Sequence, residues 1–257
     1  MKKKLAFLFL TMALIAAVAL PGCSNDNDDP DPTSGLTKIR VATDATWPPF
    51  EYIDTATNKI VGFDIDLMLA IAEKAGLEVE FVNVEWDPLL AGVSQGTYDA
   101  AISSITIKPD RLEAMSFSDP YFVAGQIIVV RAGNTDIAGE NSLAGKKVGV
   151  QSGTTGDDEV SEISGVDRVA YDEIGLAFAA LLGNQIDAVV CDTPVADGYV
   201  TKYNTELKTV GEVLTTEEYG IALPKSNTAL LAKINAGLAA VIAEGKIEEL
   251  VLKWLVS

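Results

Sequence analysis

Ser103, Ser104, Thr106 and Arg111 bring three hydroxyls and a guanidinium into one short segment. Such a set is a receptor for a carboxylate. A guanidinium grips two oxygens through paired, charge-assisted hydrogen bonds, and hydroxyls with exposed amides complete the shell. The plainer reading is a strand-to-helix turn with a surface arginine. A second set is Gln151-Ser152-Gly153-Thr154-Thr155-Gly156, a glycine- and threonine-rich turn ahead of an acidic run. A turn that opens a helix offers backbone amides to an anion; the Gly-Lys-Ser/Thr ending of a P-loop is absent. Trp47, in Asp44-Ala45-Thr46-Trp47-Pro48-Pro49-Phe50, and Trp86 offer flat walls, with Asp44, Glu85 and Asp87 as nearby acceptors. Trp47 also suits a core cap. Asp192, just before Thr193-Pro194, is either a helix N-cap or a carboxylate at a strand end.

These groups need elements to hold them. Lys38–Thr43, Glu78–Val84 and Ala100–Ile102 read as strands, the last a short buried run. Between them, Phe63–Ala75 has helical spacing with Gly76 as a stop, and a helix enters after Trp86 and ends near Gly96. Asp64 and Asp66 at the helix start suit capping and the dipole. Pro109 opens a helix that places Arg111 in its first turn. Strand, helix, strand, helix, strand predicts a parallel α/β sheet, which binds ligands off the carboxyl ends of its strands. Asp44, Trp47, Trp86, Ser104, Thr106 and Arg111 all fall just after predicted strand ends.

The pattern repeats. Gln126–Arg131, the run up to Val150, Asp167–Tyr171 and Ile186–Cys191 read as strands, with a helix over Ile174–Leu182. Thr215–Tyr219 returns the chain to the first part, and Ala229–Val241 and Lys246–Trp254 are amphipathic helices.

Composition bounds the function. The 257 residues are 48% hydrophobic and 22% charged, enough for a packed core. A formal net charge of −18 lacks the basic footprint of nucleic-acid binding. With no histidine, a Ser-His-Asp triad and a histidine-ligated zinc site are excluded. No cofactor, metal site or catalytic residue is expected. Cys23 and Cys191 form no disulfide framework.

Met1-Lys2-Lys3-Lys4 followed by the uncharged Leu5–Leu20 run is a secretory signal, short for a membrane span of ~20 residues. Leu20-Pro21-Gly22-Cys23 resembles a bacterial lipobox, which implies lipidation of Cys23; the plainer reading is a cleaved signal with an incidental cysteine. Residues 24–35 are polar and acidic, a solvated tether without calcium-loop spacing.

Taken together, Gly62-Phe63-Asp64-Ile65-Asp66-Leu67, the Asp44–Phe50 loop, Trp86-Asp87, Ser103-Ser104-Ile105-Thr106-Ile107 and Phe117-Ser118-Asp119-Pro120-Tyr121 resemble bacterial extracellular solute-binding proteins of the polar amino-acid type. The resemblance implies a two-lobed periplasmic-binding-protein fold, type II, α/β, with two hinge crossovers and a ligand cleft. Its expected divisions are a signal peptide (1–22), a tether (23–35), lobe 1 (36–122 and 218–257) and lobe 2 (123–217). It implies an extracytoplasmic, lipid-anchored monomer that serves an ABC permease and ATPase. Ser103, Ser104, Thr106, Arg111, Thr154 and Thr155 would hold the α-carboxylate of a free L-amino acid, and Asp192 its α-ammonium. Trp47, Trp86, Asp44 and Gln151 would meet the side chain, which favours arginine or lysine, or glutamine. The same fold resembles cyclohexadienyl (prephenate/arogenate) dehydratases, whose chemistry would need an acid in the cleft, Glu85 or Asp87.

Overall fold

The computed structural model describes residues 36–256. The expected signal peptide, tether and lipidated Cys23 lie outside the described residues.

Two five-stranded sheets share one strand order. In the first, Thr37–Thr43 lies between Leu77–Asn83 and Ala100–Ala101 and runs parallel to both. Ala222–Pro224 and then Met115–Phe117 extend it antiparallel. In the second, Lys147–Gln151 lies between Asp167–Tyr171 and Ala188–Asp192, again parallel, and Gln126–Arg131 and Leu207–Val210 extend it antiparallel. The parallel strands read as unbroken apolar runs because helices cover both faces: Val148, Val150, Val189 and Val190 are all buried. The two sheets are the cores of two lobes.

The chain crosses between them twice. The crossing strands Phe122–Ala124 and Glu217–Tyr219 pair antiparallel, Phe122 opposite Tyr219 and Ala124 opposite Glu217. Their side chains alternate, so Glu217 and Tyr219 point inward while Glu218 is exposed. The helices Thr228–Ala243 and Lys246–Trp254 return to pack on the helix Phe63–Ala75 beside the first sheet.

The start of the helix Phe63–Ala75 differs from the sequence expectation. Its first amides are capped by distant backbone: Phe63 N–H donates to Pro49 O (3.1 Å) and Asp64 N–H to Phe50 O (3.0 Å). Asp64 is therefore not needed as a cap and turns into the interior, where it is fully buried. Asp66 instead accepts Lys253 Nζ (2.6 Å) and Trp254 Nε1 (2.8 Å), tying the last helix to the first.

Gly62 makes that approach feasible. Its φ is +138°, and a Cβ there would lie 2.1 Å from Phe50 O. Both partners are backbone, so neither can swing aside. Gly62→Ala should lower unfolding free energy by at least ~2 kcal/mol, read by chemical denaturation; an unchanged midpoint would refute the close approach.

Candidate functional site

The loops that leave the parallel strands meet between the lobes. Trp47, Trp86, Ser103, Ser104, Thr106 and Arg111 from the first lobe face Thr154, Thr155 and Asp192 from the second around one small cavity of about 10 Å³. These are nine of the residues singled out from sequence. The other two, Asp44 and Gln151, are buried behind Trp47.

The groups are joined across the cleft. Trp47 Nε1 donates to Gln151 Oε1, and Gln151 Nε2 donates to Asp44 Oδ2 at 3.0 Å. Trp47 also packs into the second lobe's apolar cluster, against Ile174 and Phe178. Trp86 stays with the first lobe, beside Ala42, Leu89 and Ile105, and reaches across through Nε1 to Gly153 O at 3.0 Å. The cavity is far smaller than an amino acid, so admission of one requires the lobes to part.

Arg111 is held within this closed form. It is 5% exposed, with its guanidinium carbon 5.2 Å from the centre of a Trp86 ring. Nη1 donates to Thr106 O (3.0 Å) and Nη2 to Gly153 O (3.3 Å). Burial lowers its pKa from the usual value, against the pull of Asp110, Asp158, Asp192 and Glu217. An arginine remains a cation under such a shift.

Asp192 ends its strand at the N-cap position of the helix Thr193–Lys202, yet its side chain makes no cap hydrogen bond. It accepts Gln126 Nε2 at 2.8 Å and the Tyr219 hydroxyl. Burial, reinforced by the charge of Glu217, pushes its pKa up to about 6. Burial likewise raises Asp44, although Thr46 Oγ1 and Gln151 Nε2 donate to it.

The sequence reading missed Glu217. This buried carboxylate on a crossing strand accepts Thr106 Oγ1 (2.7 Å), Thr155 Oγ1 (2.8 Å), Thr215 Oγ1 (2.7 Å) and Gln126 Nε2 (3.1 Å). It thus joins the first lobe's hydroxyl segment to the second lobe's threonine turn. The alternation Glu217-Glu218-Tyr219 carried a faint signal, since one glutamate of such a pair must share the tyrosine's face. Ser103 and Ser104 rest on two further buried carboxyls, Glu51 and Asp64. Glu85 and Asp87 are exposed at the rim, because the helix Trp86–Ser94 turns Trp86 and Leu89 inward; the charge of Glu85 still reaches Asp44, and Asp87 Oδ1 lies against Gly153.

Comparisons with known proteins agree with this architecture. The family model for bacterial extracellular solute-binding proteins, family 3, matches residues 39–257. The chain is 34% identical over 248 residues to a probable histidine-binding protein of Neisseria gonorrhoeae, covering 93% of this chain and 91% of that one. It is 35% identical over 227 residues to ABC transporter arginine-binding protein 1 of Escherichia coli, covering 86% and 92%. Two solved structures of an ancestral arginine-binding protein superpose with TM-scores of 0.81 at 42% identity. The one bound to arginine covers 84% of this chain and 97% of its own, and the one bound to glutamine covers 86% and 98%. The chain belongs to the bacterial extracellular solute-binding proteins, family 3.

Proposed function

We propose that this protein captures an L-amino acid with a cationic side chain, arginine or lysine, outside the cytoplasm and delivers it to an ABC importer. The observation that carries the reading is the placement of Arg111 and Asp192, buried on opposite lobes against one cavity. A zwitterion needs that pair of opposite charges. Arg111 takes the α-carboxylate in the place lined by Ser103, Ser104, Thr106, Thr154 and Thr155, and Asp192 takes the α-ammonium.

The side chain follows from what is left over. Among the described residues, Asp44, Asp192 and Glu217 stand against the single buried cation Arg111. A zwitterion adds no net charge, so the acidic excess favours a ligand that brings a further positive one. Asp44 behind Trp47 supplies its counter-charge, and an indole face adds ~0.5–2 kcal/mol for a cation. The family relatives above are named for histidine and arginine binding, which fits a site for basic amino acids. Glutamine is the second reading, since Gln151 and Asp44 offer hydrogen bonds to an amide and an ancestral relative was solved with it.

Residues 36–122 with 218–257 act as one lobe and 123–217 as the other, closing about the crossing strands. A monomer suffices for this. A lipid at Cys23 keeps it at the membrane. The relatives above are binding proteins rather than enzymes, and Glu85 and Asp87, the acids weighed for a dehydratase, are exposed.

The test is a thermal-shift screen against the common L-amino acids, after unfolding and refolding to remove carried-over ligand. At a hundredfold excess over Kd a ligand adds about 2.7 kcal/mol, roughly 5–10 °C for a protein of this size. Arginine or lysine should give that shift. Glutamine alone would overturn the side-chain assignment, and no shift with any amino acid would overturn capture itself.

A further inference from the structure

Beneath the Ser103–Ser104 wall lie two carboxyl groups that ligand binding does not use. Glu51, on the short strand Glu51–Asp54, and Asp64, in the first turn of the helix Phe63–Ala75, are both 0% exposed. Asp64 Oδ2 accepts the Ser104 N–H and the Tyr121 hydroxyl, each at 2.8 Å. Glu51 Oε1 accepts Ser103 Oγ at 3.1 Å, and that hydroxyl oxygen accepts the Asp44 N–H at 2.9 Å. Asp64 N–H donates to Phe50 O (3.0 Å), which seats the helix start against the residue next to Glu51, and the two carboxyls hold adjacent serines, so each acts on the other. Their other oxygens, Glu51 Oε2 and Asp64 Oδ1, meet no donor among the described residues.

The surroundings supply no positive charge. The titratable groups that face the pair are Asp44, from the loop after the first strand, and Tyr121, from the approach to the hinge. Two carboxylates in contact, desolvated and without a counter-charge, cannot both ionise near neutrality. One proton shared by the pair would give the orphan oxygens, Glu51 Oε2 and Asp64 Oδ1, a partner in each other. It also leaves Asp64 Oδ2 and Glu51 Oε1 free to hold the wall. That hold is needed: Ser104 has a φ of +49°, in the left-handed region that a non-glycine residue adopts only when its surroundings enforce it.

We propose that Glu51 carries a proton at neutral pH, donates it to Asp64, and so acts as the positioning residue that fixes Ser103 and Ser104 for ligand. The proposal rests on the amino-acid-binding reading for its effect on affinity, but not for the shared proton itself. Burial raises both carboxyls, Glu51 well above its usual value and Asp64 to about 7. A carboxyl raised in the folded state contributes stability that is lost as pH rises through its folded value. The pair therefore weakens the protein on the alkaline side.

Glu51→Gln separates this role from mere filling of space. The amide Nε2 is a permanent donor to Asp64, and its Oε1 still accepts from Ser103. The variant should fold, match wild-type ligand affinity at pH 7 within about threefold, and lose less stability than wild type between pH 7 and pH 8.5. An infrared difference spectrum at pH 7 should show a protonated-carboxyl band in the wild type that the variant lacks. Between pH 7 and 8.5 the affinity ratio of variant to wild type should move several-fold in the variant's favour. Identical pH profiles and no lost infrared band would overturn the shared proton. If ligand binds neither protein while the stability profiles and the band differ as expected, the proton stands and the binding-site reading falls. Glu51→Leu fills the space without either hydrogen bond. If it folds, it should bind at least tenfold more weakly than Glu51→Gln; equal affinity would overturn the positioning role.

Discussion

Arg111→Ala should abolish amino-acid capture. The guanidinium is the one buried cation beside the cavity among the described residues, and it is already oriented by Thr106 O, Gly153 O and the Trp86 ring. Thr106 O and the Trp86 ring belong to its own lobe and hold it when the lobes part, so less entropy remains to be lost on binding. Charge-assisted hydrogen bonds contribute ~1.5–3 kcal/mol each, and two parallel ones therefore correspond to at least about a hundredfold in Kd. Truncation also leaves the ligand carboxylate facing Asp192 and Glu217 uncompensated. Isothermal titration against the ligand found in the screen measures this. Arg111→Lys retains charge but loses the planar fork, and should fall between wild type and alanine. A Kd for the alanine variant within threefold of wild type would refute the role of Arg111.

The second large effect has opposite signs for the free and bound protein. Asp192→Asn should weaken binding by two to three decades, because a ligand ammonium loses its buried counter-charge. The same change should make the free protein more stable at pH 8. Ligand-free Asp192 is a carboxylate held in the interior, and its pKa of about 6 records that burden. The folded state holds this proton more tightly than the unfolded chain does. Stability from this group is therefore fully present below the ordinary carboxylate range and is lost as pH rises from there through about 6. Asp64 and Glu51 push in the same direction at higher pH. Wild-type protein without ligand should melt several degrees higher at pH 5 than at pH 8, and Asp192→Asn should reduce that difference. Asparagine fits the site: its Oδ1 accepts from Gln126 while its Nδ2 donates to the Tyr219 oxygen, whose hydroxyl can rotate. A variant that binds as tightly as wild type, or that shows an unaltered pH slope, would refute the assignment.

These two side chains were visible in the sequence because of where they stand. Asp192 directly follows a short apolar run of buried-strand type, and Arg111 sits in the first turn of the helix that Pro109 opens after another; parallel strands deliver the residues that follow them to one edge of a sheet. The same reasoning reached Ser103, Ser104 and Thr106 after Ala100–Ile102, and Thr154 and Thr155 after Gln151. Local chemistry misled at Asp64. An aspartate in a first helical turn reads as a cap, but the carbonyls of Pro49 and Phe50 had already taken the amides it would have capped. Glu85 and Asp87 flank the inward-facing Trp86, but helical geometry turns them to solvent.

Legible in the residues alone were the α/β alternation, its recurrence in the second half of the chain, the strand end at Asp192 and the proline-opened helical turn that holds Arg111. Those follow from hydrophobic periodicity and from glycine and proline stops, which are local properties. Which carboxylates are buried, and what faces them, is settled by packing between distant segments. Glu217 meets Thr106 and Thr155 because two crossing strands pair, and Glu51 meets Asp64 because Gly62 lets one backbone lie against another. Burial and proximity between residues distant in the chain are properties of the packed whole. It is those two quantities that set a carboxyl's charge, and therefore its role.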